Sequence, residues 1–198
     1  MKTENVKSGT AIILHYYAQA FAFPYEEMNY ELQHLYRSLE REIHDEDDAL
    51  FTDQILSSLN LFQGEEIIDL RGEYVALFTS QTSSNPRCPL IASDFCRLTL
   101  QKYDSLDAEE LIYESGIPVN TDEPVDSIIN YLQYLSFACE EFLMESITPD
   151  VLSSFYDNHI VNWIPQFCDI LYRAAGLSFY KEIAIGLKDF VLSFNSEF

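Results

Sequence analysis

The chain has 198 residues, of which 47% are hydrophobic and 14% aromatic. A chain of this size can bury about 70% of its unfolded surface, and such an apolar composition excludes a disordered protein. Its 11 Lys and Arg residues stand against 33 Asp and Glu residues, giving a formal net charge of −22.

The negative net charge favours some classes of binding partner over others. An acidic surface repels phosphate backbones and anionic lipid, which argues against nucleic acid and membrane partners. It attracts and steers basic peptides or proteins. From Tyr103 through Tyr172 the sequence holds fourteen carboxylates and no Lys or Arg. The charge by itself also fits a chain that is merely kept soluble, or one adapted to a salt-rich habitat.

No segment is typical of a membrane-spanning or exported protein. The longest apolar runs, such as residues 11–14, fall far short of the roughly 20 residues that cross a bilayer. The first five residues, Met-Lys-Thr-Glu-Asn, lack the apolar centre of a signal peptide. We therefore expect a cytoplasmic protein without stable membrane insertion. Its four separated cysteines form no C-x-x-C pair and are predicted to be small buried residues.

Apolar residues recur at helical spacing through the first part of the chain. This spacing predicts four helices, over residues 12–21, 28–39, 45–62 and 67–78. Gly64 separates the third from the fourth. The polar, proline-containing segment 80–89 is predicted to be a loop.

The second half of the chain continues the helical pattern. A short helix over 107–114 is predicted to end at Gly116, and residues 117–124 form an irregular link. Prolines indicate two helix starts, one of a long helix near Pro124 and one at Thr148-Pro149. A third proline indicates a break in the helical pattern at 163–165. The last helix is predicted over 178–194. The sequence therefore predicts an all-α fold, a single bundle of about eight to ten helices or two closely packed helical subdomains over residues 1–198.

The sequence contains few patterns that are typical of catalytic or metal-binding sites. The six glycines are scattered and form no phosphate-binding loop, and there is no G-x-S-x-G elbow. One Glu-x-x-His element occurs at residues 31–34, whereas a helical di-iron site needs two. We therefore predict no enzyme activity, no cofactor and no metal site.

Three stretches, in fixed order, carry a family resemblance. The first is residues 70–78, Leu-Arg-Gly-Glu-Tyr-Val-Ala-Leu-Phe, followed by a polar loop and Ser-Asp-Phe at 93–95. The second is 123–129, Glu-Pro-Val-Asp-Ser-Ile-Ile, and the third spaces Phe, His and Trp over 155–190. They resemble the E-Y-x-x-L-F, E-P-x-D-H and F-x-x-x-H-[LI]-x-x-W motifs of the TorD/DmsD/NarJ family of redox-enzyme maturation chaperones.

The resemblance implies a function. It implies a helical cytoplasmic chaperone that binds the twin-arginine leader of a molybdenum-cofactor oxidoreductase subunit, with the body of that subunit left open as a further contact. Such a chaperone assists cofactor insertion and delays export until the partner is mature. Some members form domain-swapped dimers, so a monomer or a swapped dimer is expected here, with a hinge near 117–124.

The resemblance also implies binding residues. It places four side chains in an apolar groove for the leader, Asp126 as the charge partner of its arginines, and Ser127 as a hydrogen-bonding neighbour. Two more side chains lie beside the groove or support it. The groove residues are Tyr74, Leu77, Phe78 and Pro89, and the supporting pair is His159 and Trp163. Each of the apolar residues also fits simple core packing, and Asp126 also fits a helix start.

The sequence differs from the family motifs at two places, and two alternative functions stay open. Ser127 stands where the family commonly has histidine, and residues 90–92 lack the usual aromatic and acidic side chains. One rival is an acidic all-α adaptor or regulatory module that binds another basic protein segment. The other is a metal-dependent helical hydrolase.

Overall fold

The structure is a computed structural model that describes residues 6–42, 46–79, 86–103, 105–116 and 123–194. Within these ranges the chain forms ten helices and, apart from one isolated bridge, no strand. The predicted all-α fold is confirmed. None of the described helices is long and apolar enough to cross a membrane.

The helices follow the predicted order. Their bounds are α1 Ser8–Ala20, α2 Met28–Glu42, α3 Glu46–Gly64, α4 Ile67–Phe78, α5 Ala92–Leu98, α6 Ser105–Ser115, α7 Ile128–Leu143, α8 Pro149–His159, α9 Ile164–Ala174 and α10 Ser178–Ser193. The start at Thr148-Pro149 and the stop at Gly116 are confirmed, and Gly116 has the positive φ of 68° that favours glycine at a helix end. Most of the predicted loop and of the predicted hinge, residues 80–85 and 117–122, lie outside the described residues.

Two elements differ from the prediction. The long helix α7 begins at Ile128 rather than near Pro124, because residues 124–127 form a turn closed by the Ser127 N–H on the Pro124 carbonyl at 3.0 Å. The seven-residue helix α5 was not predicted. Its length offers only about two turns of apolar spacing, and sequence periodicity is unreliable over so short a run.

Helix α1 lies at the centre of the fold. Nine of its residues are buried, and it packs along α7 and α2. The Ser136 hydroxyl on α7 donates to the Ala11 carbonyl at 2.8 Å, and the hydroxyls of Tyr16 and Ser58 join α1 to α3 at 2.8 Å. Because α1 turns apolar side chains toward several neighbours at once, it has little amphipathic character of its own.

The four cysteines are buried and free, as predicted. Burial raises the pKa of the Cys88 and Cys139 thiols to about 12 and that of Cys96 to about 11. At neutral pH these thiols are therefore protonated, and they pack as small apolar side chains.

The contact between α1 and α10 requires glycine at position 186. A Cβ atom on Gly186 would lie 2.3 Å from the Tyr17 hydroxyl oxygen, and Tyr17 is itself only 1% exposed. By contrast, a Cβ atom on the exposed Gly72 in α4 would meet nothing within 4 Å. The two glycines thus form a matched pair of helical positions.

We predict that Gly186→Ala lowers the free energy of unfolding by about 1–3 kcal/mol, because the buried Tyr17 ring must shift. Gly72→Ala should raise it by about 0.5–1 kcal/mol, because alanine is the better helix former. Urea denaturation of both variants measures the difference. Equal effects of the two substitutions would contradict the close packing of α10 on α1.

Candidate functional site

The predicted groove residues of α4 lie in the aromatic core. Tyr74, Leu77 and Phe78 are 6%, 1% and 7% exposed. The Phe78 ring lies 4.9 Å from that of Tyr74 and 5.5 Å from that of Tyr180, centroid to centroid. Burial, with the nearby charge of Glu123, raises the pKa of the Tyr74 hydroxyl. These side chains pack the bundle in this conformation, and their contact with a leader stays a prediction.

Main-chain hydrogen bonds connect the predicted motifs. The Cys88 N–H donates to the Leu77 carbonyl at 2.9 Å, which ties the buried Pro89 segment to the end of α4. The Ala92 N–H then donates to the Asp126 carbonyl at 2.9 Å, and the Ile128 N–H to the Leu90 carbonyl at 2.8 Å. An isolated antiparallel bridge therefore joins segment 90–92 to segment 126–128.

Asp126 is an internal cap in this arrangement. Its carboxylate is part of a residue only 6% exposed, and Oδ2 accepts the Ser93 N–H at 3.0 Å. Ser93 lies in the first turn of α5, where main-chain N–H groups have no partner within the helix. The fully buried Ser127 caps α7, since its Oγ accepts the Asn130 N–H at 3.2 Å. Both predicted polar residues thus have structural partners, and the role of Asp126 toward arginine stays a prediction.

The other two predicted residues border an open hollow of about 500 Å³. His159, Trp163 and Cys96 are buried and form its base. The indole N–H of Trp163 donates to the main-chain carbonyl of His159 at 2.7 Å, which fixes the Trp163 side chain relative to the end of α8. More exposed side chains surround the opening: Gln101, Lys102, Tyr103, Asp107, Asn158 and Asn162.

Asp107 and His159 form a polar pair in this hollow. The His159 Nε2 atom lies 3.1 Å from Asp107 Oδ2, and the Asp107 side chain is 56% exposed whereas that of His159 is 3% exposed. Because a carboxylate only accepts hydrogen bonds, the imidazole nitrogen donates here. The rings of Tyr131 and Phe155 lie 6.1 Å and 5.2 Å from the imidazole and hold it in place. The pair positions a half-exposed carboxylate at the opening.

The amide side chains at the opening are oriented by their own hydrogen bonds. Three amide nitrogens donate to neighbouring oxygens, Gln101 to Gln166, Asn158 to Ser154 at 3.3 Å, and Asn162 to the Asp157 carbonyl at 2.7 Å. The amide oxygens of Asn158 and Asn162 remain as acceptors, whereas that of Gln101 already accepts the Cys96 thiol at 3.6 Å. Of the described residues that line the hollow, Lys102 is the one Lys or Arg. The lining is consequently rich in acceptors.

A strained leucine stands next to the hollow. Leu100 has a φ of 59° and is 93% exposed, and Leu98 beside it is 43% exposed. The left-handed conformation is unfavourable for a leucine by roughly 1–2 kcal/mol. The Gln101 N–H donates to the Cys96 carbonyl at 2.8 Å, which closes the turn that holds Leu100 outward. An exposed apolar side chain in a strained turn marks this edge as a candidate contact surface.

An aromatic row links the hollow to α4. The ring of Phe78 lies 6.1 Å from Phe21, and Phe21 lies 5.7 Å from Phe167. Phe95 then bridges Phe167 and Trp163, at 5.7 Å and 5.6 Å. The sequence-predicted residues therefore fall into two groups, one at α4 and the bridge and one at the hollow, which the row connects through the core.

Sequence reasoning missed Asp107 as a site residue. Asp107 and His159 are 52 positions apart, so no local spacing connects them. Asn158 and Asn162, on the other side of the hollow, lie at the end of α8 and in the turn after it. Without the fold, two asparagines do not indicate a site.

The chain resembles known proteins in sequence and in fold. A family profile described as "Nitrate reductase delta subunit" matches residues 26–169. The crystal structure of a protein from Archaeoglobus fulgidus, assigned to redox enzyme maturation, is similar in fold with a TM-score of 0.61 and 23% sequence identity. That similarity covers 91% of this chain and 92% of the other. No curated protein matches the sequence.

Trp163 is 0% exposed, and we predict that Trp163→Ala lowers the free energy of unfolding by about 3–5 kcal/mol through cavity formation. Tyr172→Ala is the control, because Tyr172 is 48% exposed and its truncation should change stability by less than about 0.5 kcal/mol. Urea denaturation followed by circular dichroism gives both values. A small effect at Trp163 would mean that the base of the hollow is loosely packed.

Proposed function

Since the chain belongs to the nitrate reductase delta subunit family of redox-enzyme maturation chaperones, we propose that it binds the twin-arginine leader of a molybdenum-cofactor oxidoreductase subunit. In this proposal it holds the subunit until the cofactor is inserted, and then releases it for export. It binds without transforming its partner, and it acts in the cytoplasm.

The family match is the observation that carries this proposal. Residues 26–169 include the first two motif stretches, the beginning of the third, and every described residue that lines the hollow. The match therefore covers the parts of the chain to which the proposal gives a role. The predicted binding residues, including Tyr74, Asp126 and Ser127, belong to the same matched region.

The electrostatics of the chain support a cationic partner. The net charge is −22, and the sequence from Tyr103 through Tyr172 contains fourteen carboxylates and no Lys or Arg. A leader with two arginines is attracted by this charge over a distance that salt limits to about 8–10 Å. Its guanidinium groups can each form two parallel hydrogen bonds to a carboxylate, a geometry that lysine cannot match.

We predict that a synthetic leader peptide with an Arg-Arg pair followed by an apolar segment binds the protein at least about tenfold more tightly than its Lys-Lys twin, since two hydrogen bonds to a charged group are at stake. Titration calorimetry at low salt measures both affinities. Raising the salt to about 1 M should weaken both, because the screening length falls to about 3 Å.

The Lys-Lys peptide is the matched control, since it keeps charge and length and changes only the donor geometry. Equal affinities for the two peptides would favour the rival function, an acidic adaptor for basic segments in general. Binding that salt does not weaken would contradict the charge model of recognition.

A further inference from the structure

We propose that the hollow beside α6 receives one arginine side chain of the leader, with Asp107 as its charge partner. This inference rests on the proposed function and deepens it, because it assigns the guanidinium to a carboxylate that the motifs do not contain. Asp107 is suited to this role by its exposure of 56%, whereas Asp126 is 6% exposed and already accepts the Ser93 N–H.

The geometry of Asp107 leaves one oxygen for a ligand. Oδ2 accepts from His159 Nε2 at 3.1 Å, and this contact orients the carboxylate across the opening of the hollow. A guanidinium then has Oδ1 and the outer lone pair of Oδ2 as acceptors. Since the rings of Tyr131 and Phe155 hold the His159 imidazole in place, the carboxylate is held in position before the ligand arrives.

The other polar groups of the hollow favour the same ligand. A guanidinium carries five N–H donors and no acceptor, so its site must supply several acceptors. The amide nitrogens of Asn158 and Asn162 donate to protein oxygens, which leaves their carbonyl oxygens as acceptors, whereas the Gln101 carbonyl oxygen already accepts the Cys96 thiol at 3.6 Å.

The edge of the hollow offers a place for the apolar part of the leader. Leu100 is 93% exposed in a strained turn, directly before Gln101 at the opening. Leu98 on the same turn is also exposed. An arginine in the hollow would bring the next apolar residues of an extended leader against these leucines.

Substitution of Lys102 should change the affinity for the leader in the opposite direction from substitution of Asp107. Its exposed ammonium group borders the hollow and opposes a cationic ligand. Lys102→Gln should therefore tighten binding of the Arg-Arg peptide, by about two- to fivefold as expected for one exposed charge. Asp107→Asn should weaken it about tenfold or more, since a charged hydrogen-bond acceptor is lost.

The decisive experiment is a cycle of two peptides and four proteins in titration calorimetry. The peptides are the Arg-Arg leader and its Lys-Lys twin, and the proteins are wild type, Asp107→Asn, Asp126→Asn and Glu114→Gln. Glu114 lies exposed on the same helix as Asp107 but outside the hollow, so Glu114→Gln controls for loss of one charge. We expect the preference for arginine over lysine to disappear in Asp107→Asn alone.

Fluorescence reports where the peptide binds. Trp163 is the single tryptophan of the chain and lies at the base of the hollow, so its emission should change when the Arg-Arg peptide saturates the protein. An unchanged emission at calorimetric saturation would overturn the assignment of the hollow.

The remaining outcomes separate the two proposals. If Asp107→Asn keeps the full preference for arginine, the inference is wrong and leader binding stands. If Asp126→Asn removes the preference instead, Asp126 is the charge partner. If wild-type protein binds neither peptide, the proposed function and this inference are both wrong.

Discussion

The isolated bridge between residues 90–92 and 126–128 is the contact on which the rest of the site depends. It is short, but it fixes the entry of two helices at once, because Ala92 begins α5 and Ile128 begins α7. Asp126 reinforces it by accepting the Ser93 N–H, so the carboxylate and its own carbonyl both satisfy the first turn of α5. The position of α5, and with it one wall of the hollow, follows from this bridge.

The bridge explains why an Asp-Ser pair occurs directly before α7. Asp126 and Ser127 each cap a different helix, and neither could be apolar without leaving buried N–H groups unsatisfied. The stretch 123–129, which resembles a leader-binding motif, therefore also stabilises the starts of α5 and α7. In the free protein the carboxylate of Asp126 is engaged internally, and the exposed charge at the neighbouring hollow comes from Asp107.

The sequence predicted the helices well, but it did not indicate the pair of Asp107 and His159 in the hollow. Helices such as α2 and α10 carry apolar stripes over many turns, and such periodicity depends on local spacing alone. Burial of the four cysteines and the role of Thr148-Pro149 likewise follow from local rules. The pairing of Asp107 with His159 is different, since it joins α6 to α8 across 52 residues. A contact between segments that are far apart in the sequence cannot be predicted from the local spacing of residues.

The walls of the hollow come from short elements, while the centre of the bundle comes from long ones. Helices α5 and α6 have seven and eleven residues, and α6 packs on α8 along a short length only. Helices α1, α7 and α10 contribute many buried residues to the main core. Elements with few buried contacts open at lower free energy than the core. At α6 the hollow can therefore adjust to an entering side chain, while Trp163 at its base is held by the buried rings of Phe95 and Phe167.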